Sequence, residues 1–148
     1  MNKLIFAKPT IDTFCFVIIF FKDGKLYLDE VFFADSINEL SENILQHTKN
    51  VSQIRYDVSI FMQDGKNLRA KTNANVFLYK PKQKLEERFT ANKEWIQENL
   101  IIDNEYENED YIKFISLIND YQANNVSQNT IAIDIISDIA RCFRMKRD

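Results

Sequence analysis

The chain has 148 residues and a formal net charge of −3; 45% of its residues are hydrophobic and 28% are charged. This balance is typical of a globular protein and excludes an intrinsically disordered chain. Its two glycines and two prolines are too few for a phosphate-binding glycine loop or a flexible linker, so we expect a single domain over residues 1–148.

The apolar segments of the sequence are too short to span a membrane. The longest apolar run covers eight residues, 14–21, whereas a membrane-spanning helix needs about 20. Lys8 and Pro9 interrupt the first residues before these reach the length of a signal-peptide core. Cys15 and Cys142 have neither a metal-binding spacing nor the pattern of a disulfide framework. We therefore expect reduced thiols and a cytoplasmic location.

The first predicted elements are a short edge strand near residues 4–7 and a β-hairpin. Residues 13–22 and 25–33 are rich in β-branched and aromatic side chains, and Asp23-Gly24 between them tolerates the positive φ angles of a tight turn. The first strand of this hairpin is apolar on both faces. It is therefore predicted to lie in the centre of a sheet, with helices or loops covering each side.

A helix follows the first hairpin, and the next segments repeat the order strand, strand, helix. A capping box begins this first predicted helix, which covers residues 37–49. Alternating apolar residues over 53–63 predict a strand, and Asp64-Gly65 predicts a second hairpin turn that leads into a bent strand ending at residues 76–79. A stripe of apolar residues at helical spacing then predicts a helix over residues 85–100.

The predicted fold class is α+β. Residues 1–101 are expected to form two β-β-α units that build a mostly antiparallel sheet of four or five strands packed with helices. Residues 102–148 are expected to form two C-terminal helices, the first capped near Asn108 and the second beginning near residues 127–130.

Motifs that would indicate catalysis are missing from the sequence. His47 is the only histidine, and it has no cysteine or carboxylate partner at the spacing of a metal-binding helix. No nucleophile elbow, phosphate loop or dinucleotide fingerprint occurs. We therefore expect no catalytic residue, no metal site and no cofactor. The alternative, a small enzyme without a known motif, would require a pocket that contains His47 or converging carboxylates.

The most distinctive surface feature is a run of acidic residues without lysine or arginine. Between Glu98 and Asp110 there are six acidic residues. A solvated loop followed by a helix N-terminus would explain this run without any function. The functional interpretation is a negative patch with aromatic anchors, since tyrosine is frequent in interfaces. The predicted partner-binding residues are Asp103, Glu105, Tyr106, Glu107, Glu109, Asp110 and Tyr111.

These observations favour a non-enzymatic protein-binding inhibitor. Its most concrete form is an immunity protein that neutralises a cognate bacterial toxin, in particular a basic nuclease. A nuclease carries positive charge around its substrate channel, and an acidic partner gains association rate and orientation from a complementary potential. A phage-encoded inhibitor of a bacterial defence complex would have the same sequence features.

The lysine-rich segment 66–93 supports a different hypothesis, a nucleic-acid-binding or regulatory protein. The net negative charge of the whole chain argues against it, and lysines on strand edges also serve to prevent aggregation. The basic residues of this segment are Lys66, Arg69, Lys71, Lys80, Lys82, Lys84, Arg88 and Lys93.

Overall fold

A computed structural model describes residues 2–103, 105–122 and 129–146. The strands are β1 (Lys3–Pro9), β2 (Phe14–Lys22), β3 (Lys25–Ala34), β4 (Val51–Asp57), β5 (Asn75–Tyr79) and β6 (Leu100–Ile101). The helices are α1 (Ile37–Leu45), α2 (Met62–Lys71), α3 (Leu85–Asn99), α4 (Glu109–Gln122) and α5 (Ile131–Lys146). None of these helices is long and apolar enough to cross a membrane.

The strands form one mixed sheet in the order β5-β4-β1-β2-β3-β6. The pairs β1–β2 and β2–β3 are antiparallel, whereas β1–β4, β4–β5 and β3–β6 are parallel. Parallel neighbours need crossover connections, which α1 and α2 supply before and after β4. The predicted α+β class and the C-terminal helical pair are confirmed. The prediction of a mostly antiparallel sheet with four or five strands is wrong, because the sheet is mixed and has six.

The first hairpin lies where the sequence predicts it. Lys22 pairs with Lys25, and the turn residues Asp23 and Gly24 have φ angles of 53° and 77°. Strand β2 occupies an inner position in the sheet and is buried on both faces. One face packs against α3, α4 and α5, and the other packs against α1 and α2. The apolar character of both faces of β2 follows from this three-layer arrangement.

The second predicted hairpin does not exist, so the prediction of two β-β-α units is also wrong. Strand β4 ends at Asp57, and Gly65 lies inside α2, where its N–H donates to the Phe61 carbonyl at 3.2 Å. A Cβ atom placed on Gly65 would lie 2.9 Å from side-chain atoms of both Leu78 and Val58. Gly65 therefore allows close packing of a helix on the sheet and does not form a turn.

We expect the Gly65→Ala substitution to lower the free energy of unfolding, because the added methyl group must displace Leu78 and Val58. The steric cost of about 2–3 kcal/mol exceeds the gain of about 1 kcal/mol in helix propensity that alanine has over glycine, for a net loss of about 1–2 kcal/mol. Urea denaturation followed by circular dichroism measures the difference. Lys66→Ala, at an exposed position of the same helix, is the control and should change little. A stabilised Gly65→Ala variant would contradict the close packing.

Candidate functional site

The parallel strands β1 and β4 bring two charged residues to the same edge of the sheet. Lys8 lies near the carboxyl end of β1, and Asp57 is the last residue of β4. Helix α5 packs on this side of the sheet and presents Asp134 and Asp138. These two residues are four positions apart, so they lie on the same face of the helix. One lysine and three carboxylates therefore meet between the sheet and α5.

The Lys8 ammonium group lies among the three carboxylates. Its Nζ atom is 2.5 Å from Asp57 Oδ2, 3.0 Å from Asp134 Oδ1 and 3.7 Å from Asp138 Oδ2. The side chains of Lys8 and Asp57 are only 8% and 1% exposed. Burial lowers the pKa of Lys8, but attraction to the three carboxylates outweighs this effect and leaves the pKa raised. Lys8 is therefore positively charged.

Helix α3 contributes a second buried cation, Arg88. Its Nη2 atom lies 2.7 Å from Asp134 Oδ1, and its Nη1 atom lies 2.7 Å from Asp138 Oδ1. Its Nε–H donates to the Gln83 carbonyl at 3.1 Å. The planar guanidinium group thus joins two carboxylates of α5 to α3, as suits the forked geometry of arginine. We call Lys8, Asp57, Arg88, Asp134 and Asp138 the Lys8 cluster.

The pKa of Asp138 lies above the ordinary value of an aspartate. Burial raises its pKa to about 6, although Lys8 and Arg88 act in the opposite direction. The hydroxyl of Tyr79, at the end of β5, donates to Asp138 Oδ2 at 2.9 Å and also lowers the pKa of this carboxyl. Asp138 is therefore a carboxylate at pH 7 that remains a useful proton acceptor.

We expect Tyr79→Phe to raise the pKa of Asp138 above its value of about 6, because the ionised carboxylate loses a hydrogen-bond donor. An NMR titration of the aspartate carboxyl carbons measures this shift. Tyr27→Phe, in β3 and stacked on Phe20, is the control and should leave the titration unchanged. A lowered or constant pKa in Tyr79→Phe would contradict the role of this hydrogen bond.

A groove of about 360 Å³ opens beside Asp138. We call it the basic groove, because four cationic side chains line it together with Asp138 and Tyr79. These cations are Arg55, Lys80, Lys82 and Arg141. The guanidinium carbon of Arg55 lies 5.6–5.9 Å from the ring centres of Phe6, Phe77 and Tyr79. These rings hold the Arg55 charge at the wall of the groove. The arrangement favours an anionic ligand that passes close to a carboxylate.

The predicted partner-binding residues lie elsewhere, around the start of α4. Tyr111 is fully buried, and its hydroxyl donates to the Leu28 carbonyl at 2.8 Å and accepts from the Asp103 N–H at 3.0 Å. Asp110 accepts from the Phe33 N–H at 3.0 Å, and the Tyr106 ring packs 4.5 Å from the Tyr111 ring. Tyr111 and Asp110 thus join α4 to β3. A binding role for the predicted seven residues stays a prediction; their exposed acidic members are Asp103, Glu105, Glu107 and Glu109.

His47 and the residues of the lysine-rich segment do not form one site, because they lie on different sides of the sheet. His47 packs against Phe32 with ring centres 4.3 Å apart, on the face of the sheet that α1 and α2 cover. Lys66 and Lys71 lie on α2, on that same side of the sheet. Of the other basic residues, Lys80 and Lys82 line the basic groove. Arg88 belongs to the Lys8 cluster.

The sequence contains a signal for the Lys8 cluster that our prediction missed. Asp134 and Asp138 interrupt the apolar face of α5 at a spacing of one helical turn, and Lys8 directly follows the apolar residues 4–7 of β1. Charged residues in buried elements are rarely tolerated unless they are paired. The recurrence of such residues in two separate elements, β1 and α5, indicates a shared site.

Comparisons with known proteins identify the fold. No protein-family model and no curated protein matches the sequence, but several solved structures are similar. The large terminase of a thermophilic bacteriophage has a TM-score of 0.70 and 12% identity, over 95% of this chain and 39% of the terminase chain. The human cytomegalovirus terminase nuclease domain has a TM-score of 0.57 and 6% identity, over 93% of this chain and 82% of that domain. RuvC of Thermus thermophilus, in complex with Holliday junction substrate, has a TM-score of 0.51 and 7% identity, over 93% of this chain and 89% of RuvC.

These structures correct the functional hypothesis. The chain, which spans less than half of the bacteriophage terminase, shares its fold with these proteins, one of which is a nuclease domain. The hypothesis of a non-enzymatic inhibitor, whether an immunity protein or a phage-encoded inhibitor, is therefore wrong. The expectation that the chain is not an enzyme is wrong for the same reason. The sequence analysis gave a nucleic acid as the alternative partner of the chain. RuvC, one of the similar proteins, binds Holliday junction substrate.

A divalent cation does not fit the Lys8 cluster as these residues are arranged. Many nucleases use divalent cations held by carboxylates, and Asp57, Asp134 and Asp138 are the carboxylates of this site. Lys8 and Arg88 already contact one oxygen of Asp57, one of Asp134 and both of Asp138. Among the residues that the structure describes, no three side chains of the metal-binding types are arranged to hold an ion.

Proposed function

We propose that the protein is a nuclease: it binds the phosphate backbone of a nucleic acid in the basic groove and hydrolyses a phosphodiester bond beside Asp138. The observation that carries this proposal is the position of Asp138, which belongs both to the lining of the basic groove and to the Lys8 cluster. The similarity of the chain's fold to a terminase nuclease domain supports the proposal. A cytoplasmic location is part of the same proposal.

The charges of the basic groove support binding of a polyanion. Lys80 and Lys82 are the lysines of the groove, and Arg55 and Arg141 are its half-buried arginines. Lysine and arginine gain affinity for nucleic acids by neutralising phosphates and releasing counterions. The two arginines can also each donate two parallel hydrogen bonds to one phosphate group. This clustering explains how a chain with a net negative charge could bind DNA or RNA, since it is local potential that attracts the ligand.

The chemistry follows from the ionisation of Asp138. In the proposed reaction, a water oxygen attacks phosphorus while the Asp138 carboxylate accepts the proton of that water. The bond between phosphorus and the leaving oxygen breaks, and this oxygen takes a proton from solvent, to which Asp138 later returns its own. The cations of the basic groove stabilise the negative charge that develops on the phosphate oxygens. A base with a pKa of about 6 is ionised at pH 7 and close to the optimum for proton transfer.

Cleavage of end-labelled DNA tests the proposal, with single-stranded, duplex and four-way junction substrates compared. We expect Asp138→Asn to lower the cleavage rate by about a hundredfold, because the amide cannot accept the proton. Asp120→Asn, at an exposed position of α4, is the matched control and should retain full activity. Equal rates for the wild-type protein and Asp138→Asn, or no cleavage of any of these substrates by the wild-type protein, would overturn the proposal.

A further inference from the structure

The Lys8 cluster gathers three carboxylates around a cation, and this cation is part of the chain. Oxygens of Asp57, Asp134 and Asp138 all lie within 3.7 Å of Lys8 Nζ. Carboxylate oxygens are the ligands that Mg²⁺ and Mn²⁺ prefer in proteins. Lys8 is nevertheless the group that these carboxylates surround, and it contributes a single positive charge on a side chain fixed by β1.

The carboxylate oxygens have few positions left for a metal ion. Asp57 Oδ1 accepts from the Ser59 N–H at 2.8 Å, while Asp57 Oδ2 contacts Lys8. Both oxygens of Asp138 accept hydrogen bonds, one from Arg88 and one from Tyr79. Asp134 Oδ1 contacts both Lys8 and Arg88. A divalent ion would have to displace several of these donors, since it needs about six oxygen ligands.

The charge balance also disfavours an added ion. Three carboxylates and two cations leave the Lys8 cluster with a net charge of −1 when Asp138 is ionised. A divalent ion would enter next to the Lys8 ammonium, and repulsion between like charges is strong in a buried site. Removing the Lys8 charge would leave three carboxylates with Arg88 alone, for a net charge of −2. A divalent cation would compensate this charge.

We propose that the ammonium group of Lys8 occupies the place of a divalent cation in this site, so that the protein holds its carboxylates together and acts without a metal ion. This inference rests on the proposed function only where it concerns cleavage. The part that concerns ion binding stands on the geometry of the Lys8 cluster alone. Lysine can supply one fixed positive charge but cannot activate a bound water as a metal ion does, which agrees with Asp138 as the base.

Thermal unfolding of the full chain with and without millimolar Mn²⁺ or Mg²⁺ tests ion binding. We expect no shift of the melting temperature for the wild-type protein and an increase of several degrees for Lys8→Ala, because a ligand that binds only the folded state stabilises it. Lys8→Arg retains the cation and should show no shift. Lys3→Ala is the matched control, since Lys3 lies on the same strand but pairs with the single carboxylate of Asp29 at 2.8 Å.

Each outcome decides the inference. A Mn²⁺ shift in the wild-type protein that Asp57→Asn abolishes would overturn it, as would a Lys8→Ala variant that does not respond to either ion. If Lys8→Ala fails to fold in metal-free buffer, Mn²⁺ should restore its circular dichroism spectrum, and failure to do so would count against the inference. Double substitution of Lys8→Ala with Asp57→Asn should abolish the response.

Cleavage assays separate this inference from the proposed function. If the wild-type protein cleaves DNA at the same rate in EDTA and in Mg²⁺, both proposals are supported. Cleavage that requires Mg²⁺ would overturn the role of Lys8 and leave the nuclease proposal standing. Absence of cleavage in every condition would overturn the nuclease proposal, while the Mn²⁺ measurements would still decide whether Lys8 occupies a cation site.

Discussion

Replacement of Arg88 by alanine is expected to lower the free energy of unfolding by about 3–5 kcal/mol, the usual cost of removing one partner from a buried ion pair. The Arg88 side chain is 5% exposed and contacts both Asp134 and Asp138. Without it, Lys8 alone would compensate three carboxylates, of which Asp57 and Asp138 are buried. Urea denaturation at pH 7.5 measures the loss. Lys93→Ala, at an exposed position of the same helix, is the control and should change stability little.

The pH dependence of this loss has a definite sign. Asp138 has a pKa of about 6 in the folded protein, above the ordinary aspartate value of 3.8, so the folded state binds more protons between these pH values. Stability from this group therefore falls as pH rises from about 4 through about 6. Arg88 lowers the pKa of Asp138, and its removal extends this window to higher pH. The Arg88→Ala variant should regain part of its stability in mildly acidic buffer. A loss that is small and independent of pH would mean that the carboxylates are well solvated.

Substitution of three cations of the basic groove is expected to weaken binding to a DNA duplex by about a hundredfold in low-salt buffer. The variant combines Lys80→Gln, Lys82→Gln and Arg141→Gln. If each cation neutralises about one phosphate, the slope of log affinity against log salt should become shallower by about 3. Fluorescence anisotropy with a labelled duplex, measured over a range of salt concentrations, gives both quantities.

A double variant of α2 provides the control for charge. Lys66→Gln with Lys71→Gln removes two positive charges from the same lysine-rich segment of the sequence, but from the other side of the sheet. We expect its affinity to fall by less than about threefold, since exposed charges beyond about 10 Å are largely screened at moderate salt. Similar losses in the two variants would mean that the basic groove is not the binding surface.

Short sequence patterns were sufficient to predict the first hairpin and the start of α1. Asp23-Gly24 between two apolar strands specified the first hairpin, and the capping box at Ser36 specified the start of α1, where the Ser36 hydroxyl accepts from the Glu39 N–H at 3.1 Å. Asp64-Gly65 misled the prediction because a dipeptide that favours a turn is also tolerated in a helix that packs closely on a sheet. The parallel pairing of β4 with β1 and β5 depends on the whole chain, so alternation within a strand could not show it.

The candidate site could not be found from charge density along the sequence. The acidic run before α4 is dense in sequence, but its buried end, at Asp110 and Tyr111, serves to attach α4 to β3. The residues of the Lys8 cluster are isolated in the sequence and meet only when β1, β4, α3 and α5 pack together. The informative signal was a charged residue in a buried element, as at Lys8 and Asp138, and not an accumulation of charge in a loop.

Strand β1 and helix α5 lie far apart in the chain, yet Lys8 joins them through Asp134 and Asp138. Each of these ion pairs closes a loop of more than a hundred residues. Closing such a loop lowers the entropy of the chain, and only the contacts of the completely folded protein offset this cost. Partial opening of α5 would expose two carboxylates and leave Lys8 with the carboxylate of Asp57 alone. Amide protons of β1 and α5 should therefore exchange with solvent through the same global unfolding event.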